Sequence, residues 1–277
     1  MSVKRMCITD FDGTLLGSDR KVSDANLLTL AELPQHDVIR VLATGRSLWS
    51  LKRVIDQSFP LDYVIFATGA GVMNWKTQEM IYTCNLSRAD IVRTNSILNS
   101  YDVDYMIHYP IPDTHFMHYC TKHGLQDYWD RIDYYRAFSK ELTDVDFSAI
   151  NEATQFMAIA ESTQEAVYQE LVTALKPLNC IRTTSPIDLK SLWIEIFAEP
   201  VSKGRSLKYL ADLLDCRIED AMVIGNDFND EDMLCLCPNA FVTANAPEEL
   251  RIKHINVAHH DRDGFSEAVQ MWQRNTW

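Results

Sequence analysis

The sequence predicts an α/β protein built on a doubly wound parallel sheet, with a separate α+β unit inserted into it. Three observations predict this. Apolar strand-like runs alternate with helix-like periodic segments as β-α-β-α-β between residues 6 and 67, the pattern that builds parallel sheets. The runs lack the polar alternation of a sheet with one wet face, so both faces should be covered by helices, in Rossmann-like fashion. From about residue 85 to residue 186 the chain becomes richer in Tyr, His, Asp and Met and poorer in such runs. The expected division is therefore a core of 1–84 with 187–277 and an insert of 85–186. A chain of 277 residues is long enough for both.

The first run, residues 6–9, ends in Asp10-Phe11-Asp12-Gly13-Thr14-Leu15-Leu16. Ligands of open α/β sheets sit beyond the carboxyl ends of the strands, which places Asp10 and Asp12 at that edge. Two carboxylates so close repel unless a cation or proton lies between them, and Mg²⁺ is the natural cation. A helix follows through Leu27, Leu28, Leu30, Ala31 and Leu33, with Ser23 or Asp24 as its N-cap and Pro34 closing it.

The second strand, 38–43, ends in Thr44-Gly45-Arg46-Ser47, ahead of a helix expected through Leu48, Leu51, Val54 and Ile55. Strand, hydroxyl, glycine and helix N-terminus together make a phosphate-site layout. A third strand over 63–67 leads to Thr68-Gly69-Ala70-Gly71 and a hairpin over 72–84.

Inside the insert, helices are expected over 87–98 and 164–176, with strands over 105–108, over 156–160 and near Ile181. The core is expected to resume with Trp193-Ile194-Glu195-Ile196-Phe197. Lys203 then opens a helix that turns Leu207, Leu210, Ala211 and Leu214 inward. The strand over 221–224 ends in Gly225-Asn226-Asp227-Phe228-Asn229-Asp230. Strands over 240–242 and 255–258 and a helix over 265–272 close the chain.

These residues carry a resemblance. Asp10-Phe11-Asp12-Gly13-Thr14-Leu15-Leu16 resembles the first motif of the haloacid dehalogenase-like hydrolases, phosphatases that use an aspartate nucleophile. Thr44 fills the second motif and Lys203 the third. Gly225 to Asp230 resembles the fourth, Gly-Asp-x-x-Asn-Asp, with one substitution. The four occur in order at strand ends and span the chain. The insert, between the second motif and the third, corresponds to the large cap of the Cof-like branch, subfamily IIB.

The resemblance implies a Mg²⁺-dependent phosphatase that hydrolyses a small phosphorylated metabolite, a sugar phosphate or similar, through an aspartyl-phosphate, with the cap selecting the leaving group. It makes Asp10 the nucleophile and Asp12 the general acid and base. Gly13 leaves room for backbone N–H groups, while Thr44, Gly45, Lys203 and Asn229 hold the phosphoryl oxygens. Mg²⁺ would be held by Asp10, Asp12 and groups from 226–230.

Two departures from the family pattern stand out. Thr68 replaces the Asn of Asn-Gly-Ala, and Asn226 stands where the fourth motif has Asp. Either Asn226 ligates through its amide oxygen, with Asp230 as ligand or support, or the loop rotates and Asp227 takes over; the register set by Gly225 and Asn229-Asp230 favours Asn226. A phosphotransferase or phosphomutase would use the same aspartates, and a catalytically silent binding protein would keep only the fold.

Composition narrows the partners. Twenty-six Lys and Arg against 39 Asp and Glu leave a formal charge of −13, which repels a nucleic-acid backbone. No apolar segment is long enough to span a membrane. The cysteines number seven, an odd count, with no Cys-x-x-Cys pair, as expected of reduced thiols in a cytoplasmic protein. The histidines of the insert have no metal-ligand spacing, and His259-His260 reads as a polar turn.

Overall fold

The computed structural model describes residues 4–101, 103–161 and 163–276. The chain forms two units, one of 1–46, 50–82 and 202–277, the other of 47–49 and 83–201.

In the first unit the opening apolar run is strand β1 (Arg5–Thr9), buried beyond its first residue. Helix α1 (Asp24–Glu32) is capped by Ser23, whose hydroxyl accepts the Asn26 N–H, and Pro34 lies in the 3-10 turn that follows. Strand β2 (Val38–Ala43) leads to helix α2 (Leu48–Leu51), which is a single turn. The longer helix expected through Ile55 does not form. The N–H groups of Val54 and Ile55 both return to the Leu51 carbonyl, and Asp56 accepts the Ser58 N–H to start a new turn. Apolar spacing there reflects turns that bury Leu51 and Ile55. Strand β3 (Tyr63–Phe66) pairs with β4 (Gly71–Asn74), which forms a hairpin with β5 (Met80–Thr83).

The second unit opens with α3 (Arg88–Ser100), begun by a capping box in which Ser87 and Asp90 bond each other's backbone. Strands β6 (Asp104–His108) and β7 (Met117–Cys120) precede α4 (Gln126–Tyr134), a helix in a stretch where the sequence showed none. After β8 (Ser139–Glu141) come β9 (Phe156–Ala160), α5 (Glu165–Ala174), β10 (Asn179–Thr184) and β11 (Leu192–Phe197). The six strands form one sheet in the order β10-β11-β9-β6-β7-β8.

Here the expected boundary at 187 is corrected. Strand β11 lies in this second sheet, antiparallel to both β9 and β10, and the chain returns to the first unit only at Ser202. Its Trp193 indole donates to Asp127 Oδ2 at 2.6 Å, tying β11 to α4, while Ser185 Oγ donates to the other oxygen of the same carboxylate.

The first unit resumes with α6 (Lys203–Leu214), β12 (Met222–Gly225), α7 (Glu231–Leu236), β13 (Asn239–Thr243), α8 (Glu248–Arg251), β14 (Ile255–Val257) and α9 (Gly264–Thr276). Its eight-stranded sheet runs β14-β13-β12-β1-β2-β3-β4-β5, and the pairings from β14 to β3 are parallel. Met6, Ile8, Val41 and Val223 pack in one buried cluster with Leu207 and Leu210 of α6 and Met233 of α7. Phe265, Val269 and Trp272 of α9 are buried as well. Strand order reverses at β1, whose neighbours are β2 and β12. A switch point of this kind opens a crevice at the carboxyl ends of the central strands. Among the described residues, no helix is long and apolar enough to cross a membrane.

Candidate active site

Asp10 is the first residue past β1. Its N–H donates to the Ile224 carbonyl of β12 at 2.9 Å, so the ladder holds the backbone up to the point where the side chain leaves it. The side chain is buried. Lys203, the first residue of α6 behind the Ser202 cap, is fully buried and donates from Nζ to Asp10 Oδ1 and to Asp230 Oδ1, both at 2.7 Å. Asn229 Oδ1 lies 3.5 Å from the same nitrogen.

Two carboxylates thus share one cation out of water. Burial lifts the Asp10 carboxyl to about 7; Lys203 opposes the rise, and the negative charges of Asp230 and Asp12 add to it. Burial pulls Lys203 down, but Asp10 and Asp230 together outweigh it and hold the ammonium above the ordinary lysine range. The two shifts point in opposite senses for stability. The lysine draws on two carboxylates, whereas Asp10 has only its share of one lysine against its own desolvation.

Asn226 closes the other side of Asp10. Its amide terminus stands 3.1 Å from Asp10 Oδ2, 2.8 Å from the Asp12 carbonyl oxygen and 3.0 Å from Thr14 Oγ1. With nitrogen on that side, the two N–H groups of the amide have three acceptors within reach. With oxygen on that side it accepts from Thr14 but faces two further acceptors, which is repulsive unless a cation lies among them. Six ligands at 2.0–2.1 Å around Mg²⁺ are about 3.0 Å apart along each octahedral edge. The spacings of Asn226 from Asp10 and from Asp12 match those edges, so this oxygen set fits the ion.

The remaining expected residues fall around this group. Gly13 has φ +74, and a Cβ there would lie 2.6 Å from the Asn226 amide, so both the backbone conformation and the space require glycine. Asp230 Oδ2 accepts the N–H groups of Asn226 (2.8 Å) and Asp227 (3.1 Å). Asp227 accepts the Phe228 N–H at 2.8 Å and caps the 3-10 turn over Phe228–Asp230. Thr44 is buried, and its hydroxyl accepts the Arg46 N–H. A Cβ on Gly45 would lie 3.4 Å from Thr68 Oγ1 and 3.7 Å from Asn229 Nδ2. All these groups lie just beyond β1, β2 and β12 or at the start of α6. The single turn of α2 gives the Thr44-Gly45 loop only a short helix for its dipole.

Sequence reasoning assigned Arg46 no role. Its guanidinium grips the Asp12 carboxylate with two bonds of 2.6 Å, from Nε to Oδ2 and from Nη2 to Oδ1. The signal was a fork-shaped cation two residues past the Thr44 hydroxyl. Its partner, 34 positions away, could not be read from spacing.

A parallel α/β sheet that ends in paired aspartates, faced by a buried lysine and a hydroxyl loop, defines a hydrolase of the phosphatase kind. The chain belongs to the haloacid dehalogenase-like hydrolase family, whose family model matches residues 7–269. It is similar to the HMP-PP phosphatase of Escherichia coli (strain K12), 25% identical over 275 residues covering 97% of this chain and 95% of that one. Two solved phosphatases of the superfamily share the fold. BT1666 from Bacteroides thetaiotaomicron matches with a TM-score of 0.80 and 19% identity over 98% of this chain and 96% of that one. The subclass IIB sugar phosphatase BT4131 matches with a TM-score of 0.77 and 16% identity over 98% of this chain and 99% of that one.

Proposed function

We propose that the chain is a Mg²⁺-dependent phosphatase that hydrolyses a small phosphorylated metabolite, a sugar phosphate or similar, through a phosphoryl group carried on Asp10. The observation that carries this reading is the surround of Asp10. One carboxylate oxygen is held by the buried Lys203 ammonium, and the other lies 3.1 Å from the Asn226 amide terminus, which itself lies 2.8 Å from the Asp12 carbonyl oxygen. Asp10, the Asp12 carbonyl and the Asn226 amide oxygen would hold Mg²⁺. Asp230 supports them from behind, since it already bonds Lys203 and the Asn226 backbone. When bound, the ion supplies positive charge to the phosphoryl oxygens and to the Asp10 carboxylate.

The chain's own groups account for the bond changes. An Asp10 oxygen attacks phosphorus, the P–O bond to the leaving group breaks, and the leaving oxygen takes a proton from Asp12. A water then attacks phosphorus, gives a proton to Asp12, and frees inorganic phosphate and Asp10. Lys203, Thr44 and Asn229 hold the phosphoryl oxygens in place. Both Asp12 oxygens accept from Arg46, so a proton on Asp12 competes with that fork for the carboxylate. The inserted unit selects the leaving group, which the chemistry of the phosphoryl site does not distinguish.

The test is phosphate release from p-nitrophenyl phosphate with and without Mg²⁺. Release that needs Mg²⁺, proceeds without an added acceptor and vanishes in Asp10→Asn supports the reading. Phosphate transfer only to an added sugar points to a phosphotransferase. Inertness toward this ester and a panel of phosphorylated metabolites points to a silent binding protein.

A further inference from the structure

The turn between β14 and α9 carries three adjacent side chains able to ligate a metal, His259, His260 and Asp261. Neighbours in an extended segment point apart. Here His259 (φ −55, ψ 149) caps a 3-10 turn over His260–Arg262, which folds the three back on one another. Asp261 Oδ2 lies 3.6 Å from His259 Nδ1 and 3.4 Å from His260 Nε2, and the three ligand atoms fall within 4.8 Å of one another. Ligands at 2.0–2.2 Å around a tetrahedral ion are separated by about 3.3–3.6 Å. Two of the three edges thus have the lengths a bound ion would impose. Ser18 Oγ sits on the same triangle, 3.0 Å from His260 Nε2 and 2.8 Å from Asp261 Oδ2.

We propose that His259, His260 and Asp261 form a site for a transition ion of the Zn²⁺ class, with Ser18 Oγ or water in the fourth position. Two imidazoles and one carboxylate suit Zn²⁺, whereas Mg²⁺ demands an octahedron of oxygens. The site is therefore chemically distinct from the oxygen set around Asp10. The Ser18 N–H holds Asp261 Oδ1 at 2.7 Å, which fixes the carboxylate and leaves Oδ2 facing the histidines. The Asp261 N–H reaches His259 Nδ1 only at 3.2 Å, a long bond that an ion displaces. A short chain of bonds joins this turn to the phosphoryl loop: the His260 N–H donates to Asn245 Oδ1 (3.3 Å), and Asn245 Nδ2 donates to the Gly13 carbonyl (2.8 Å). A bound ion would brace both the turn and Ser18, in the loop that follows the nucleophile.

The experiment uses full-length Asp10→Asn protein, which removes a carboxylate from the other metal set, stripped with EDTA and dialysed. Zn²⁺ is titrated against a chromophoric chelator, and Co²⁺ is added as a spectroscopic probe. The expected result is one equivalent of Zn²⁺ and tetrahedral Co²⁺ bands in the visible without sulfur charge transfer. His259→Ala and His260→Ala should each weaken Zn²⁺ by about 100-fold or more, while His254→Ala leaves it unchanged. Melting the stripped variants in EDTA checks that each is folded, and His260→Gln replaces the alanine variant if that one melts early. Absence of the equivalent, its survival in both histidine variants, or thiolate bands in the Co²⁺ spectrum overturns the proposal and leaves the turn as a hydrogen-bonded staple.

Discussion

Asp10→Asn should make the metal-free protein more stable as well as inactive. Burial raises the Asp10 carboxyl from 3.8 to about 7 in the folded state. Between those values the folded chain binds a proton that the unfolded chain has released, so this group's contribution is full below pH 3.8 and is lost as pH rises through 7. At about 1.4 kcal/mol per pH unit the loss has a ceiling of about 4 kcal/mol. Asparagine resembles the protonated acid in shape and charge, and Lys203 keeps Asp230 as a partner at 2.7 Å. Urea unfolding in EDTA, run from pH 4 to pH 8, should therefore give similar stabilities for the two proteins at pH 4. At pH 8 the variant should be ahead by about 2–4 kcal/mol. Added Mg²⁺ should close the gap by stabilising the wild type alone. A gap that is constant across the range, or a variant less stable at pH 8, would refute this account of the buried carboxylate.

Other substitutions probe the rest of the site. Asn226→Asp adds a charged oxygen where the amide now stands and should lower the Mg²⁺ concentration for half-maximal activity. Asp227→Asn should change it little, because Asp227 caps a turn; the reverse ranking in a Mg²⁺ titration would move the ligand to Asp227. Lys203→Met leaves Asp10 and Asp230 buried without their cation, so a loss of about 3–5 kcal/mol is expected in denaturant melts at pH 8. The loss should shrink at pH 5, where Asp10 takes up a proton. Thr68 is buried at φ 54, ψ 23, a left-handed conformation that disfavours a β-branched side chain and suits asparagine. Thr68→Asn should raise stability by about 1 kcal/mol, seen as a melting point higher by about 2–4 °C; a lower melting point would show that the threonine's packing outweighs the strain.

What the sequence made legible follows from how local each cause is. Strands β1, β2, β3 and β12 are largely apolar runs; β1 ends at the Asp10 carboxylate, β12 at Gly225, and β2 and β3 lead into the Thr-Gly pairs 44–45 and 68–69, so strand and site edge could be read together. Strand β11 was legible as a strand but not by sheet. Ile194 and Ile196 are fully buried, and apolar runs look alike in either sheet. Glu195, only 5% exposed in a strand paired on both sides, does not separate them, since Arg40 is buried in the same way in β2 of the first sheet. Helix α4 escaped notice because the carboxylate of Asp104, nearly 20 residues upstream, gathers the N–H groups of Lys122, His123 and Gly124 ahead of it. The grip of Arg46 on Asp12 and the approach of Asn226 to the Asp12 carbonyl are long-range meetings created by strand order, which spacing along the chain does not encode.

Whether Asp10 carries the phosphoryl group is tested most directly by mass spectrometry of protein quenched in acid during turnover of a phosphorylated substrate. A phosphoryl adduct is expected on the peptide containing Asp10, discharged by hydroxylamine as an acyl phosphate and absent from Asp10→Asn. An adduct on a histidine or serine, or sustained turnover by folded Asp10→Asn, would contradict it.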